Sequence, residues 1–306
     1  MLQTTPPTHE TTAEGFYAAF APLRVRSTRA EPLAAGDEAE ARSFLSERPL
    51  HAVNLLSLMR DNGLESPLNR GTFYGYRDER GRLEGVALVG HATLFDARTP
   101  RALRALARAA QGRAGLHMVL GESGPVADFW AHYSERGSQP MRLACRELLF
   151  QLERPTQGPR GEGQGLRRAT LEDVELIIPV QARMAEEESG VNPLARDPEG
   201  FRRRCERRVE RGRSWVVTEG GGLVFKAEVE GETEQVVYLE GVYVGEGERG
   251  RGRGLGCLAR LTDELLRRVG SVCLLVNERN EAAQNFYRRA GFQYVCHYDT
   301  IFLRRD

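Results

Sequence analysis

The chain has 306 residues, 41% of them hydrophobic, with 43 lysines and arginines balanced by 43 aspartates and glutamates. That apolar share excludes an intrinsically disordered chain and gives room for one large core or two of ordinary size. The balanced charge excludes a global field drawing the molecule to nucleic acid or to an anionic membrane surface, so any charge logic is local.

In chain order, residues 1–20 are polar and rich in Pro and Thr, lack the apolar stretch of a signal peptide, and read as a flexible tail. EAEARSFLSERPLHAVNLLSLMRDNG carries helical periodicity and ends at Asn62-Gly63. FYGYRD and LEGVALVG flank the turn ERGR as a hairpin, and TPRALRALARAAQG reads as a helix with Pro100 in its first turn. HMVLGE and CRELLFQLE complete this half as strands. His51, His91, His117 and His132 lie within it without metal-ligand spacing and are expected to pack or to face water. Pro, Gly and Gln then replace any hydrophobic period, which places a linker over residues 154–165 between a domain at 21–153 and another at 166–306.

After the linker, LRRATLEDVELIIPVQARMAEE reads as strand then helix, with Thr170 and Asp173 forming a capping box. FRRRCERRVERG is a charged helix, expected to be a solvated face with Arg–Glu pairs along it. SWVVTE, LVFKAEVEG and VVYLEGVYVG follow as strands, then the helix CLARLTDELLRRV, the apolar strand SVCLLVN, the helix EAAQNFYRRAG and FQYVCHYDTIFL as a last strand or pair. This is an α+β plan with a mixed sheet, and the first half reads as a worn copy of the second. Cys145, Cys205, Cys257, Cys273 and Cys296 are scattered, odd in number and free of any C-x-x-C pair, which argues against disulfides or zinc and for a reducing cytoplasm. No apolar run is long enough to span a bilayer. Lys226 is the only lysine of the chain.

Between strand VVYLEGVYV and the helix lies ERGRGRGLGCLARL. An RNA-binding Arg/Gly tail needs freedom to fold around its target, and here the run is held between a strand and an amphipathic helix. A glycine loop at a helix start suits a phosphate instead: glycines let it approach the backbone amides, the helix dipole favours its charge, and arginines neutralise it. A merely flexible strand-to-helix loop is the bland alternative. On the cradle reading, valine at Gly254 is expected to abolish phosphate binding and to spare the fold.

Arg251, Gly252, Arg253, Gly254, Leu255 and Gly256 match an R-x-x-G-x-G/A loop, with Arg249 able to start the same pattern two residues earlier. Val276, Asn280, Ala283, Tyr287, Gly291 and Phe292 fit a second spaced block, V-x-x-x-N-x-x-A-x-x-x-Y-x-x-x-G-F. With both blocks in order, the chain from Leu166 onward resembles the GNAT superfamily of acyl-CoA-dependent N-acetyltransferases. The whole resembles bacterial tandem-GNAT proteins, in which a degenerate N-terminal unit precedes an intact one. Gly245-Glu246-Gly247 stands where the family often has a proline. The resemblance implies two GNAT-like units in tandem, each a mixed, mostly antiparallel central sheet flanked by helices. A fragment from Leu166 to Asp306 is then expected to bind acetyl-CoA by itself. The N-terminal half has no R-x-x-G-x-G loop and is expected to support the site without binding the cofactor tightly.

The implied activity moves an acetyl group from acetyl-CoA to a primary amine, with no metal, nucleic acid or membrane involved; an acyl-CoA-binding sensor without turnover is the alternative. By the same resemblance, amides of Val242, Tyr243 and Val244 hold the pantetheine arm and acetyl carbonyl, and Tyr287 protonates the departing thiolate. The phosphate loop from Arg249 to Gly256 holds the pyrophosphate, and Ala283 lies in the cofactor-facing block. Asn280 bonds the cofactor, caps the helix after it, or does both. Glu240 is the candidate general base, with a solvated glutamate as the plain reading. Glu186 and Glu187, in the run Glu186-Glu187-Glu188, either face the acceptor pocket and favour a cationic amine or form a wet helix end.

Overall fold

Apolar residues alternate along the strands and recur at helical spacing between them, and among the described residues the two periods build one sheet of 12 strands with helices on both faces. The computed structural model describes residues 29–113, 115–136, 140–155 and 163–304. The expected tail at 1–20 and linker residues 156–162 lie outside them.

β1 (Glu31–Pro32) leads to α1 (Glu38–Ser46) and α2 (Pro49–Asn62). The single helical stretch read from the sequence is thus two, because Pro49 keeps Arg48 out of the helical region at φ −130 and ψ 62. β2 (Gly71–Arg77) and β3 (Leu83–Gly90) form the expected hairpin, and β4 (Ala92–Ala97) continues the sheet. α3 (Pro100–Ala110) opens with Pro100, while the Thr99 hydroxyl accepts the Ala102 amide at 3.2 Å. β5 (Met118–Glu122), α4 (Ser123–Ser134) and β6 (Met141–Leu152) close this half. Sequence reading missed β4 and α4. The buried Val126, Phe129 and Tyr133 of α4 recur at three and four residues and carried the signal.

In the second half come β7 (Arg167–Arg168), α5 (Val174–Ser189), α6 (Pro193–Arg196), α7 (Pro198–Glu210), β8 (Ser214–Glu219), β9 (Gly222–Glu232) and β10 (Val236–Val244). α8 (Arg253–Leu266), β11 (Ser271–Asn277), α9 (Glu281–Arg289) and β12 (Gln293–Leu303) follow. The Asp173 carboxylate accepts the Thr170 amide at 2.8 Å, which realises the expected capping box. α8 and α9 pack Leu258, Leu261 and Phe286 against Phe225, Val237 and Val272 on one face of the sheet. α5 and α7 pack Ile177 and Phe201 onto Val216 on the other. Among the described residues no helix is long and apolar enough to cross a membrane.

The strand order is β1-β2-β3-β4-β5-β12-β6-β11-β10-β9-β8-β7. Every neighbouring pair is antiparallel except β4 with β5 and β10 with β11. The two halves therefore exchange strands. β6, from the first half, lies between β11 and β12, while β12, the last strand, lies between β5 and β6. A joint apolar cluster of Val53, Leu149, Val236, Tyr238, Cys273 and Tyr298 seals the junction under α2.

This pairing argues against the expectation that a fragment from Leu166 to Asp306 binds acetyl-CoA by itself. Without β6, both β11 and β12 lose their shared partner and expose unpaired edges. A fragment of residues 166–306 should show no cooperative thermal transition, and co-expression with residues 29–155 should restore one; calorimetry on both samples is the check, and a well-folded lone fragment would contradict the exchange.

Candidate active site

β10 and β11 pair in parallel from Val236–Ser271 to Leu239–Leu274 and then part. β11 goes on along β6 as far as Asn277, whereas β10 breaks register with β9 between Glu240 and Tyr243. The break is a bulge at Gly241, whose φ of +60 disfavours a side chain. Space forbids one as well, since a Cβ there would sit 2.8 Å from Lys226 Nζ and 3.0 Å from Gln181 Oε1. Beyond the bulge, backbone groups of β10 face an opening in the sheet and can pair with an extended ligand as an added strand does.

That opening is a cleft of about 560 Å³. Val242, Tyr243 and Val244 line one wall, with Arg249, Gly252, Gly254 and Leu255 at one end and Asn280, Ala283 and Tyr287 opposite. Arg183 and Phe286 also line it and were missed by sequence reading. The Asn280 carboxamide accepts the Ala283 amide at 3.0 Å and caps α9, which settles its structural part. Tyr287 is 8% exposed, packs against Phe286 and Phe292, and burial raises its hydroxyl well above the usual tyrosine range.

At the loop end, Gly250 and Gly252 adopt φ of +74 and +81, left-handed values that bend the chain into the helix. The first-turn amides of α8 have no intrahelical acceptor and point out of the helix start, a donor set that suits a phosphate. Four residues of the expected cradle behave otherwise. Gly254 is buried, and a Cβ there would lie 2.5 Å from Val244 Cγ2, so its bareness serves the contact of α8 with β10. Arg253 is held by Glu219 and Glu248 and not by an open anion site. Arg251 is exposed outside the cleft wall, and Gly256 is buried in the helix beneath Gly163. Arg249, the alternative start of the motif, does line the cleft, its Nε donating to the Val244 carbonyl at 3.2 Å.

Past Tyr287 the space runs on into a second chamber of about 520 Å³ lined by Glu147, Glu188 and Glu240 with Tyr238 and Thr300. Glu187 lines both chambers, but Glu186 accepts from Asn192 Nδ2 at 3.0 Å and lines neither. Glu188, the third of the run, lines the second chamber from an exposed position at the end of α5. Glu147 was missed because it lies in β6, on the far side of the linker. Removal from bulk water raises its carboxyl to about 7, against the hydrogen bond it accepts from Thr300 at 2.6 Å. Burial also raises Glu188. Glu240 rises to about 8, from burial first and then from the neighbouring charge of Glu230.

The charges behind β10 explain why Glu240 stands out. Lys226 and Glu228 are fully buried, 3.3 Å apart, with the Lys226 ammonium also donating to Gln181. Arg208 bridges Glu228 and Glu230, so α7 is not the wholly solvated face expected, although Arg203 pairs with Glu199 along it. Burial would raise Glu228, yet Arg208 and Lys226 hold it below its usual value. Two cations thus pair with two carboxylates, and Glu240, although Arg208 offsets part of its rise, makes no ion pair of its own among the described residues.

In the first half, β4 and β5 part in the same way after Leu94 and Leu120. There Arg48 occupies the opening, bonded to Asp96 at 3.1 Å and to Glu122, and only about 40 Å³ is left. The link from β4 to α3 is Arg98-Thr99, without a glycine, whereas residues 245–252 connect β10 to α8. His51 donates to or accepts from Tyr298 at 2.9 Å, and His132 meets Glu135 at 3.0 Å. His51, Glu122 and Cys296 bring ligand atoms within 4.8 Å of one another, with the Arg48 guanidinium already on the same carboxylate.

Residues 182–292 match the family model described as acetyltransferase (GNAT) family. No curated protein matches the chain in sequence. Many solved structures share its fold, among them the following. One, a tandem GNAT protein from the clavulanic acid biosynthesis pathway, is 16% identical with a TM-score of 0.54, covering 91% of this chain and 99% of that one. A Drosophila protein is 15% identical with a TM-score of 0.64, covering 90% and 98%. A GCN5-related N-acetyltransferase from Sphaerobacter thermophilus is 15% identical with a TM-score of 0.53, covering 90% and 96%.

The Gly254 contact gives a test by double substitution. Gly254→Val should lower stability by roughly 1–3 kcal/mol through overpacking, and Val244→Ala in the same chain should recover part of that loss. Thermal unfolding of the two single variants and the double one measures it, and additive effects would rule the contact out.

Proposed function

We propose that this chain, a GNAT-superfamily protein of two units in tandem, transfers an acetyl group from acetyl-CoA to a primary amine. The observation that carries the reading is the continuous space from the phosphate-type loop, past Tyr287, to a carboxyl group with no ion pair of its own among the described residues. The residues present suit the co-substrate: amides at the start of α8 for the pyrophosphate, and the free edge of β10 beyond Gly241 for the pantetheine arm and acyl carbonyl. When bound, acetyl-CoA supplies an activated thioester.

The chain's own groups supply the rest. Once Glu240 has lost its own proton, an acceptor arriving as an ammonium ion pairs with it, and the carboxylate takes a proton from the nitrogen directly or through water. The freed nitrogen would form the new bond to the acyl carbon as the carbon–sulfur bond breaks; the Tyr287 hydroxyl gives its proton to the departing sulfur, and the second proton the nitrogen sheds on becoming an amide returns to the tyrosine, directly or through water. A tyrosine held protonated by burial is suited to donating rather than to accepting at this point. Glu147 and Glu188 lower the potential around the acceptor and favour its cationic form on entry.

Thiol release from acetyl-CoA with a panel of amines, beside calorimetric binding of acetyl-CoA, tests the reading; binding without release across the panel would leave a sensor. Tyr287→Phe should reduce kcat by about 100-fold with acetyl-CoA affinity and Tm near those of the parent. Near-parental turnover would remove the tyrosine from the mechanism.

Glu240 makes a separate prediction on pH. Its folded-state value of about 8 exceeds the ordinary 4.5, so between those values the native state holds a proton the unfolded chain has lost. Stability therefore falls as pH rises through that window. Glu240→Gln should flatten the decline in Tm over the same window and abolish the rise of kcat/KM toward alkaline pH; a parental Tm–pH profile in the variant would show that Glu240 titrates normally.

A further inference from the structure

Resting on the amine-transfer reading, the acceptor can be narrowed further. The carboxylate chamber shares Glu147, Glu188 and Glu240 with an adjoining space of about 400 Å³ lined by residues of both units. Its outer wall is α7 and the residues just after it, where Arg204, Arg207, Arg208 and Arg211 recur at three and four residues and share one helix face.

These arginines are not equivalent. Arg208 bridges Glu228 and Glu230. Arg204 meets Asp197 at 3.3 Å, and Arg211 meets Asp61 at 3.6 Å. Just beyond the helix, Arg213 meets the same Asp61 at 2.5 Å. Arg207 is exposed, lines the space, and has no carboxylate partner among the described residues. One space is thus lined both by carboxyl groups that make no ion pair, Glu147, Glu188 and Glu240, and by a guanidinium with no carboxylate partner among the described residues, that of Arg207. A simple amine or a polyamine would answer the first and leave the second; a molecule with one ammonium and one anionic group answers both.

We propose that the acceptor is an amine bearing a carboxylate or a phosphate, its ammonium among Glu147, Glu188 and Glu240 and its anion on Arg207. A guanidinium can grip either oxyanion in a bidentate manner, so the shared feature is a planar pair of oxygen acceptors at a distance from the nitrogen.

The test compares kcat/KM for a length series of ω-amino carboxylates and ω-aminoalkyl phosphates with alkylamines and diamines of matching length. One or other anionic series should exceed the alkylamines by at least about 10-fold at its best length, as a charge-assisted contact predicts. The carboxylate and phosphate arms identify the anion. Arg207→Gln should collapse the ratio between anionic and neutral series, and Arg207→Lys should restore part of it. An arginine that only stabilises the end of α7 would move Tm and leave the ratio intact. Equal or better turnover of alkylamines or diamines, or an unchanged ratio in Arg207→Gln, overturns the proposal. If acetyl-CoA binds but no acceptor releases thiol, the transfer reading fails, and calorimetry decides this one separately. Binding of an ω-amino carboxylate or phosphate that weakens in Arg207→Gln upholds the bipolar site; no such binding ends it.

Discussion

The ladder between β6 and β12 is the constraint on which the rest of the molecule depends. It runs from Gln293 opposite Gln151 to Leu303 opposite Met141, and each strand belongs by sequence to one half and by pairing to both. Interior backbone groups in a sheet must be paired, so neither half can satisfy its own central strands by itself. The same ladder assembles the sites. It sets Glu147 opposite Tyr298 and within reach of the Thr300 hydroxyl, which fixes a first-half carboxylate in the second half's cleft. In the other direction it delivers Tyr298 to His51 at the first half's narrowed opening.

The two openings differ chiefly in where the positive charge comes from. At the first, Arg48 neutralises Asp96 and Glu122 from within the fold and fills the room a ligand would need. At the second, Arg208 and Lys226 neutralise Glu228 and Glu230, one layer behind the surface, and Glu240 is left to an incoming cation. One architecture thus gives a closed, internally balanced junction and an open, unbalanced one. Exchanging a single guanidinium for an absent ligand is enough to separate them physically.

Local patterns made much of this legible. Strand alternation, the Thr99–Pro100 start of α3, the Thr170–Asp173 cap and the glycine loop before α8 are all short-range, and the structure contains them. What the sequence hid is long-range. The exchange of β6 and β12 leaves no mark on either strand, since a buried central strand reads alike whichever half it pairs with. Glu147 was invisible as a site residue for that reason, and Glu188 was hidden within a run of three exposed glutamates, of which Glu187 and Glu188 line the cleft and Glu186 pairs with Asn192 instead. Gly254 shows the opposite failure: its place in a phosphate-loop motif suggested room for a ligand, and the neighbour it makes room for is the side chain of Val244. The arginines of α7 looked like a solvated stripe because nothing in the helix itself reveals that Glu228 and Glu230 lie beneath Arg208.

Lys226 lies at the centre of this charge arrangement, fully buried beneath the Gly241 bulge and tied to Gln181 and Glu228. It is also the sole lysine among 306 residues, against 42 arginines. Guanidinium groups keep their protons and are poor nucleophiles, whereas a free lysine amine attacks thioesters readily. The folded chain therefore turns no lysine amine toward solvent, and under the proposed function an activated acyl donor in the cleft would meet side-chain cations that are arginines. The one amine of lysine type in the sequence is thus enclosed by the fold.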